Sequence, residues 1–278
     1  MGLFYTALER AEKRAGQRPA GAAVAEPPAD AIAAAPPASA AERELRLGAI
    51  SLDWLADHSA TAREQYRILR TRTLEAMRHR GQRTLLITST VAAEGKTTVA
   101  ANLALHCSSL REVRVLLVDA DLRHAGLSTG LRPPVAKGLN DLLRGEAGLE
   151  QLLLPVDPWL AVLPTLPALE QAPELLAGQA MVDLLQQAQQ DFDLVVLDGA
   201  PVGPVADSRI LARLVDASLL VARAGRTPTE ALAETAALLR PGLLGTVLNG
   251  ARPHHGPGYG QAYVDEGAAG SAIAEARA

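Results

Sequence analysis

The sequence predicts a doubly wound α/β domain, a mostly parallel sheet with helices on both faces. Two observations lead there. Runs such as "VRVLLVDAD" and "DLVVLDGAP" are apolar on both faces, as parallel strands buried between helix layers must be. Segments of helical period alternate with these runs along the chain. The length of 278 residues, with 48% hydrophobic and 21% charged side chains, suits a soluble globular chain able to build a core. Aromatics make up only 3%, so aliphatic side chains must form that core.

The elements follow in order. Leu3 to Arg14 place Leu3, Phe4, Ala7, Leu8 and Ala11 on one face, a short helix with a narrow apolar stripe. The same opening fits the Met-Gly-x-x-x-Thr pattern for myristoylation through Gly2 and Thr6, which an amphipathic helix explains more simply. From about Gln17 to Ala41 the composition turns to alanine and proline. Pro19, Pro27, Pro28, Pro36 and Pro37 interrupt every helix there, so this is an extended linker. The expected division is therefore an N-terminal helix and linker over residues 1–45, a folded domain over 46–250 and a glycine-rich tail over 251–278. Ala60 to Arg80 form a second helix. Tyr66, Leu69, Thr73 and Met77 lie along one side, and Arg63, Arg67 and Arg70 share another, a solvated face or a protein contact. Strands are expected at Thr84–Thr88, Arg114–Asp119, Leu160–Leu163, Leu194–Asp198, Ala217–Ala222 and Gly245–Asn249. Helices are expected at Thr97–Cys107, Met181–Gln190, Asp207–Leu214 and Thr229–Leu239.

Several function classes are disfavoured. A net charge of -4 and a pI near 5.9 give no global attraction to nucleic acid or anionic lipid. With Cys107 as the only cysteine, neither a disulfide framework within the chain nor a thiolate zinc site is available. No apolar run reaches the roughly 18 to 20 residues that span a bilayer, so a cytoplasmic protein is expected.

The chemistry starts after the first strand, in "TSTVAAEGKTTVAANLA". A small-residue turn before a helix surrounds phosphate oxygens with backbone N–H groups and the helix N-terminus. Lys96 would reach the β- and γ-phosphates, Thr97 would hold Mg²⁺ through its hydroxyl, and Gly95 permits close backbone approach. The strict phosphate-loop pattern begins with glycine, and Thr90 stands in that place. The preceding strand and following helix restore the assignment. "VRVLLVDADLR" ends a strand with Asp119, followed by Asp121 and Arg123, and "FDLVVLDGAP" ends another with Asp198. Carboxylates at strand ends gather on the ligand edge of such a sheet, where one can hold Mg²⁺ and another can orient or deprotonate an attacking group. Asn249 closes the last strand, either as a reader of the adenine edge or as part of an Asn-Gly turn. Asp207 reads as a helix N-cap. Cys107 and His106 read as packing or surface residues, and His254 and His255 receive no role.

These stretches, with "GLNDLLRG" and "FDLVVLDGAPVGPVADSRILARLVDASLLVARAGRTP", closely resemble the bacterial tyrosine kinases that regulate capsule and exopolysaccharide export. The resemblance runs from Glu64 to Asn249, and the opening and linker are similar to stand-alone members without a membrane segment. It implies a P-loop NTPase fold with Walker A, A′ and B motifs and a protein-tyrosine autokinase using ATP and Mg²⁺. Lys96 and Thr97 match Walker A, Asp119 and Asp121 Walker A′, and Asp198 Walker B. The implied catalytic set is Lys96, Asp119, Asp121 and Asp198, with Asp119 as base. Glu94, Gly95, Lys96, Thr97, Thr98 and Asn249 would bind nucleotide, and Thr97, Asp119 and Asp198 the metal. "EQYRILR" matches the family's oligomerisation motif through Glu64, Arg67 and Arg70, which implies a ring-like homo-oligomer. Tyr259 and Tyr263 are the implied phosphoacceptors on a neighbouring subunit. A membrane chain-length regulator is the implied activator, which would bring a cytoplasmic chain to the inner membrane.

The chain also departs from the family pattern. Ala92-Ala93 replace proline and glycine, "DGAP" replaces Asp-Thr-Pro-Pro, and "RHAGL" replaces Arg-Arg-Pro. Two other readings share the motifs: a nucleotide-switched partitioning ATPase, and a nucleotide-binding scaffold with little kinase activity. Val91 stands where the partitioning ATPases carry a signature lysine, which disfavours the first.

Overall fold

The computed structural model describes residues 59–131, 135–167, 171–203 and 205–251. The expected N-terminal helix, the linker and the tail with Tyr259, Tyr263, His254 and His255 lie outside the described residues.

The domain opens with α1 (Ala60–Arg78), whose N-cap Ser59 accepts the Ala62 N–H on its hydroxyl at 3.1 Å. Then come β1 (Thr84–Ser89), α2 (Lys96–Ser108) and β2 (Val115–Asp119). Three short helices follow, α3 (Gly126–Gly130), α4 (Leu139–Leu143) and α5 (Leu149–Leu152), and lead to β3 (Leu154–Asp157) and β4 (Leu160–Leu163). The chain continues through α6 (Ala172–Ala177), α7 (Gln179–Asp191), β5 (Leu194–Asp198), α8 (Asp207–Leu214), β6 (Ala217–Arg223), α9 (Thr229–Leu238) and β7 (Leu243–Asn249). The sheet has seven strands in the order β3-β4-β2-β5-β1-β6-β7. Every pairing is parallel except β3 with β4.

This is the doubly wound architecture, and its strands show why they read as continuous apolar runs. Alternate residues of each inner strand enter different cores. Leu85 and Ile87 of β1, Val115 and Leu117 of β2, and Val196 of β5 pack on α1 and α2 through Leu74, Met77, Val99 and Leu103. Leu86, Leu116, Val118, Val195 and Leu197 face the opposite layer, built by α4, α6, α7 and α8 around Leu139, Leu176, Leu184 and Leu211. Burying each such side chain contributes about 1.5–3 kcal/mol. Cys107 lies in the first of these cores, and burial pushes its thiol up to about 12, so it acts as a small apolar residue. No helix among the described residues is long and apolar enough to cross a membrane.

Winding on both faces leaves the strand C-termini on one edge. The connections after β1, β2, β5 and β6, with the end of β7, therefore meet there, at the place where a sheet of this kind takes its ligands.

Candidate active site

β1 ends at Ser89, and the loop from Thr90 to Gly95 leads into α2, whose first residue is Lys96. Gly95 has φ 93°, and a Cβ there would overlap Asn249 Nδ2, so glycine is needed for both conformation and space. The N–H groups of Ala93 to Thr98 find no acceptor among the described residues. They are the donors that a helix N-terminus offers to an anion.

Two adjacent strands supply the acids. The register of β2 on β5 pairs Asp119 directly with Asp198, and both are fully buried. Asp119 Oδ2 accepts the Ser128 N–H at 2.8 Å and its hydroxyl at 2.6 Å, while Oδ1 takes only a long bond of 3.3 Å from the Asp121 N–H. Lys96 Nζ stands 2.9 Å from Asp121 Oδ2 and 3.8 Å from Asp198 Oδ1. Neither Asp198 oxygen has a hydrogen-bond partner of ordinary geometry, although the Thr97 hydroxyl is near enough to favour its ionised form.

Burial dominates the electrostatics. It pushes Asp119 up to about 7, with repulsion from Asp198 adding to the effect and the Ser128 bonds opposing it. Burial likewise raises Asp198 to about 6, against the attraction of Lys96 and the Thr97 hydroxyl. At Asp121 burial again disfavours ionisation, but the Lys96 charge and hydrogen bond outweigh it and hold the carboxyl below its usual range. Burial works against the Lys96 ammonium too, yet Asp198 and then Asp121 overcome it and raise the pKa above the ordinary value.

A buried carboxylate with unpartnered oxygens, beside a threonine hydroxyl and a row of free N–H groups, fits a hard cation with a polyphosphate. Among the described residues no three His, Cys, Asp or Glu side chains converge into a protein-only metal cage. Mg²⁺ needs none, because it keeps waters and shares phosphate oxygens. The structure thus brings Lys96, Thr97, Asp119, Asp121 and Asp198 to one edge.

Other predicted residues are placed differently. Asn249 donates Nδ2–H to the Glu94 carbonyl at 2.9 Å, so its amide is engaged with the loop. The Glu94 side chain is wholly buried. Asp207 is not the N-cap of α8; Ala206 holds that position, and the buried Asp207 carboxylate instead accepts Arg123 Nε at 2.7 Å and Nη2 at 3.2 Å. Glu64, Arg67 and Arg70 lie on α1. Arg67 pairs with Glu64 at 3.2 Å in its own exposed turn, and Arg70 donates to the His106 carbonyl at 3.2 Å near the end of α2. Tyr66 stacks on the His106 ring with centroids 5.4 Å apart. Reading the sequence missed Ser128 altogether; its only local signal is a hydroxyl shortly after the "DAD" turn.

No protein-family model matches the chain. Tyrosine-protein kinase YwqD of Bacillus subtilis is 36% identical over 191 residues, 67% of this chain and 80% of that protein. Succinoglycan biosynthesis transport protein ExoP of Rhizobium meliloti is 37% identical over 174 residues, 60% of this chain but only 22% of ExoP's length. Among solved structures, the kinase domain of Escherichia coli tyrosine kinase ETK superposes with a TM-score of 0.64 at 30% identity, covering 72% of this chain and 79% of that one.

Proposed function

This chain belongs to the bacterial tyrosine kinases, and from that premise we propose that it is an ATP-dependent protein-tyrosine autokinase acting in exopolysaccharide or capsule assembly. The observation that carries the reading is the pairing of Asp119 with Asp198 beside Lys96, at the mouth of an unsatisfied N–H cradle. The role in polysaccharide export rests on relatives such as ExoP, whose printed name states it of that protein.

In this proposal the N–H groups of Ala93 to Thr98 hold the phosphates, and Lys96 adds a charge that Asp121 keeps in place. Thr97 and Asp198, with Asp119 near, would hold Mg²⁺, which supplies neutralisation of phosphate charge when bound. Asp119 is the base for the tyrosine hydroxyl. Ser128 fixes Oδ2, which leaves Oδ1 to receive the proton. Positioning and charge compensation are what phosphoryl transfer mainly requires. The domain division, 1–45, 46–250 and 251–278, belongs to the same proposal. So do Tyr259 and Tyr263 as acceptors, a homo-oligomer through Glu64, Arg67 and Arg70, and a membrane chain-length regulator as activator.

The test is incubation with Mg-ATP, with and without such a regulator's cytoplasmic segment, followed by mass spectrometry. Phosphate on Tyr259 or Tyr263 that disappears in Lys96→Ala is the expected result. ATP hydrolysis with unmodified tyrosines would replace the kinase by a switch ATPase, and binding without either activity would leave a scaffold.

A further inference from the structure

Glu94 sits within the phosphate loop, yet its side chain is fully buried and engaged by protein. Oε2 accepts the N–H groups of Thr90 at 2.8 Å and Val91 at 3.0 Å. Oε1 accepts the Thr227 hydroxyl, and Thr227 Oγ1 accepts the Arg223 N–H at 2.8 Å. The main chain of Glu94 makes a second connection, because its carbonyl accepts Asn249 Nδ2–H at 2.9 Å. The Asn249 carbonyl in turn accepts the Ala224 N–H at 2.9 Å. One residue thus fastens the ascending limb of the loop to the ends of β6 and β7.

A ligand contact is a poor explanation for this arrangement. A carboxylate facing polyphosphate would repel it, whereas here three donors saturate the charge on the protein side. Bonds of this charge-assisted kind contribute more than neutral ones. Building on the nucleotide reading above, we propose that Glu94 is a positioning residue that clasps the phosphate loop, through Thr227 and Asn249, in the form whose N–H groups face the phosphates. Its loss frees two loop N–H groups and the Thr227 hydroxyl together, and the loop then leaves its receiving conformation.

The test is Mg-ADP affinity, read with a fluorescent ADP analogue, for the native chain, Glu94→Ala, Glu94→Gln, Thr227→Val and the double variant Glu94→Ala/Thr227→Val. The expected loss is about tenfold for Glu94→Ala and a few-fold for Thr227→Val, the range for removing one or two hydrogen bonds. The double variant should be no weaker than Glu94→Ala, since both break one connection. Glu94→Gln keeps an acceptor at the loop N–H groups and should retain most of the affinity. Equal or tighter binding by Glu94→Ala would overturn the clasp, because tighter binding is what a residue facing phosphate predicts. Losses that multiply in the double variant would overturn it as well. Should Glu94→Ala not fold, unchanged affinity in Thr227→Val overturns the proposal by itself. A native chain that binds no ADP would instead sink the nucleotide reading beneath it.

Discussion

At Ala93 the backbone takes φ 62°, where a Cβ crowds the following carbonyl and costs about 1–2 kcal/mol. Ala93→Gly removes that contact at the expense of a freer unfolded chain, and should stabilise the protein by roughly 0.5–1 kcal/mol in urea unfolding. A lower stability would show that the loop carries no strain there. Asp207 supports a second prediction. Its carboxylate is buried and holds Arg123 in a two-pronged contact, so Asp207→Ala should cost about 2 kcal/mol by the same measurement, far more than the loss of a surface charge. These two residues also mark how far side-chain roles could be read in advance. Lys96, Thr97 and the three site aspartates were legible because a short local pattern, strand then turn, fixes where they go. Asp207 was misread because an aspartate at a helix start satisfies the rule for a cap, and its true partner lies 84 positions earlier. The partner of the Glu94 side chain was not legible for a similar reason, since the hydroxyl it holds comes from beyond β6, 133 positions later.

The packing of α1 on α2 separates two arginines that the sequence presents as equals. Arg67 is exposed and bonded only within its own turn, whereas Arg70 reaches the last turn of α2, where carbonyls lack helical partners. Arg70→Ala should therefore lower monomer stability by about 1 kcal/mol, and Arg67→Ala should change it by less than about 0.5 kcal/mol. Light scattering on the same variants gives the complementary reading. If the native chain is oligomeric, Arg67→Ala lowers the mass without touching the fold, and an unchanged mass would remove Arg67 from the interface. β1, β2, β4, β5 and β6 were legible because buried parallel strands leave uninterrupted aliphatic runs, whereas β7 is a half-exposed edge strand. β3 was not, because it is a short antiparallel edge strand with Pro155 in it, and such a stretch reads as a turn. The short helices α3 to α6 gave no sequence signal either, each being under two turns and set by tertiary contacts.

For the whole molecule, burial of Asp119 and Asp198 makes stability depend on pH. Their folded-state values are raised, to about 7 and about 6. Below about pH 3 both are protonated in the folded and unfolded chain, and neither costs anything. As pH rises, the unfolded chain releases these protons first, so their contribution to stability falls until both have ionised in the fold, near pH 7. Asp198→Asn removes one such group. The melting temperature of the ligand-free variant should match the native one near pH 3 and exceed it by roughly 5 °C at pH 7.5. A difference that stays constant over this range would contradict the assignment.

The register of β2 on β5 carries the last consequence. It is set by aliphatic packing along both strands, and it leaves two buried carboxyl groups side by side. A ligand that neutralises this edge therefore stabilises the fold and lengthens its survival. In a protease challenge at neutral pH, Mg-ADP should slow degradation of the native chain markedly and that of Asp198→Asn much less. The abundance of the chain in a cell would then follow its nucleotide supply as well as its rate of synthesis.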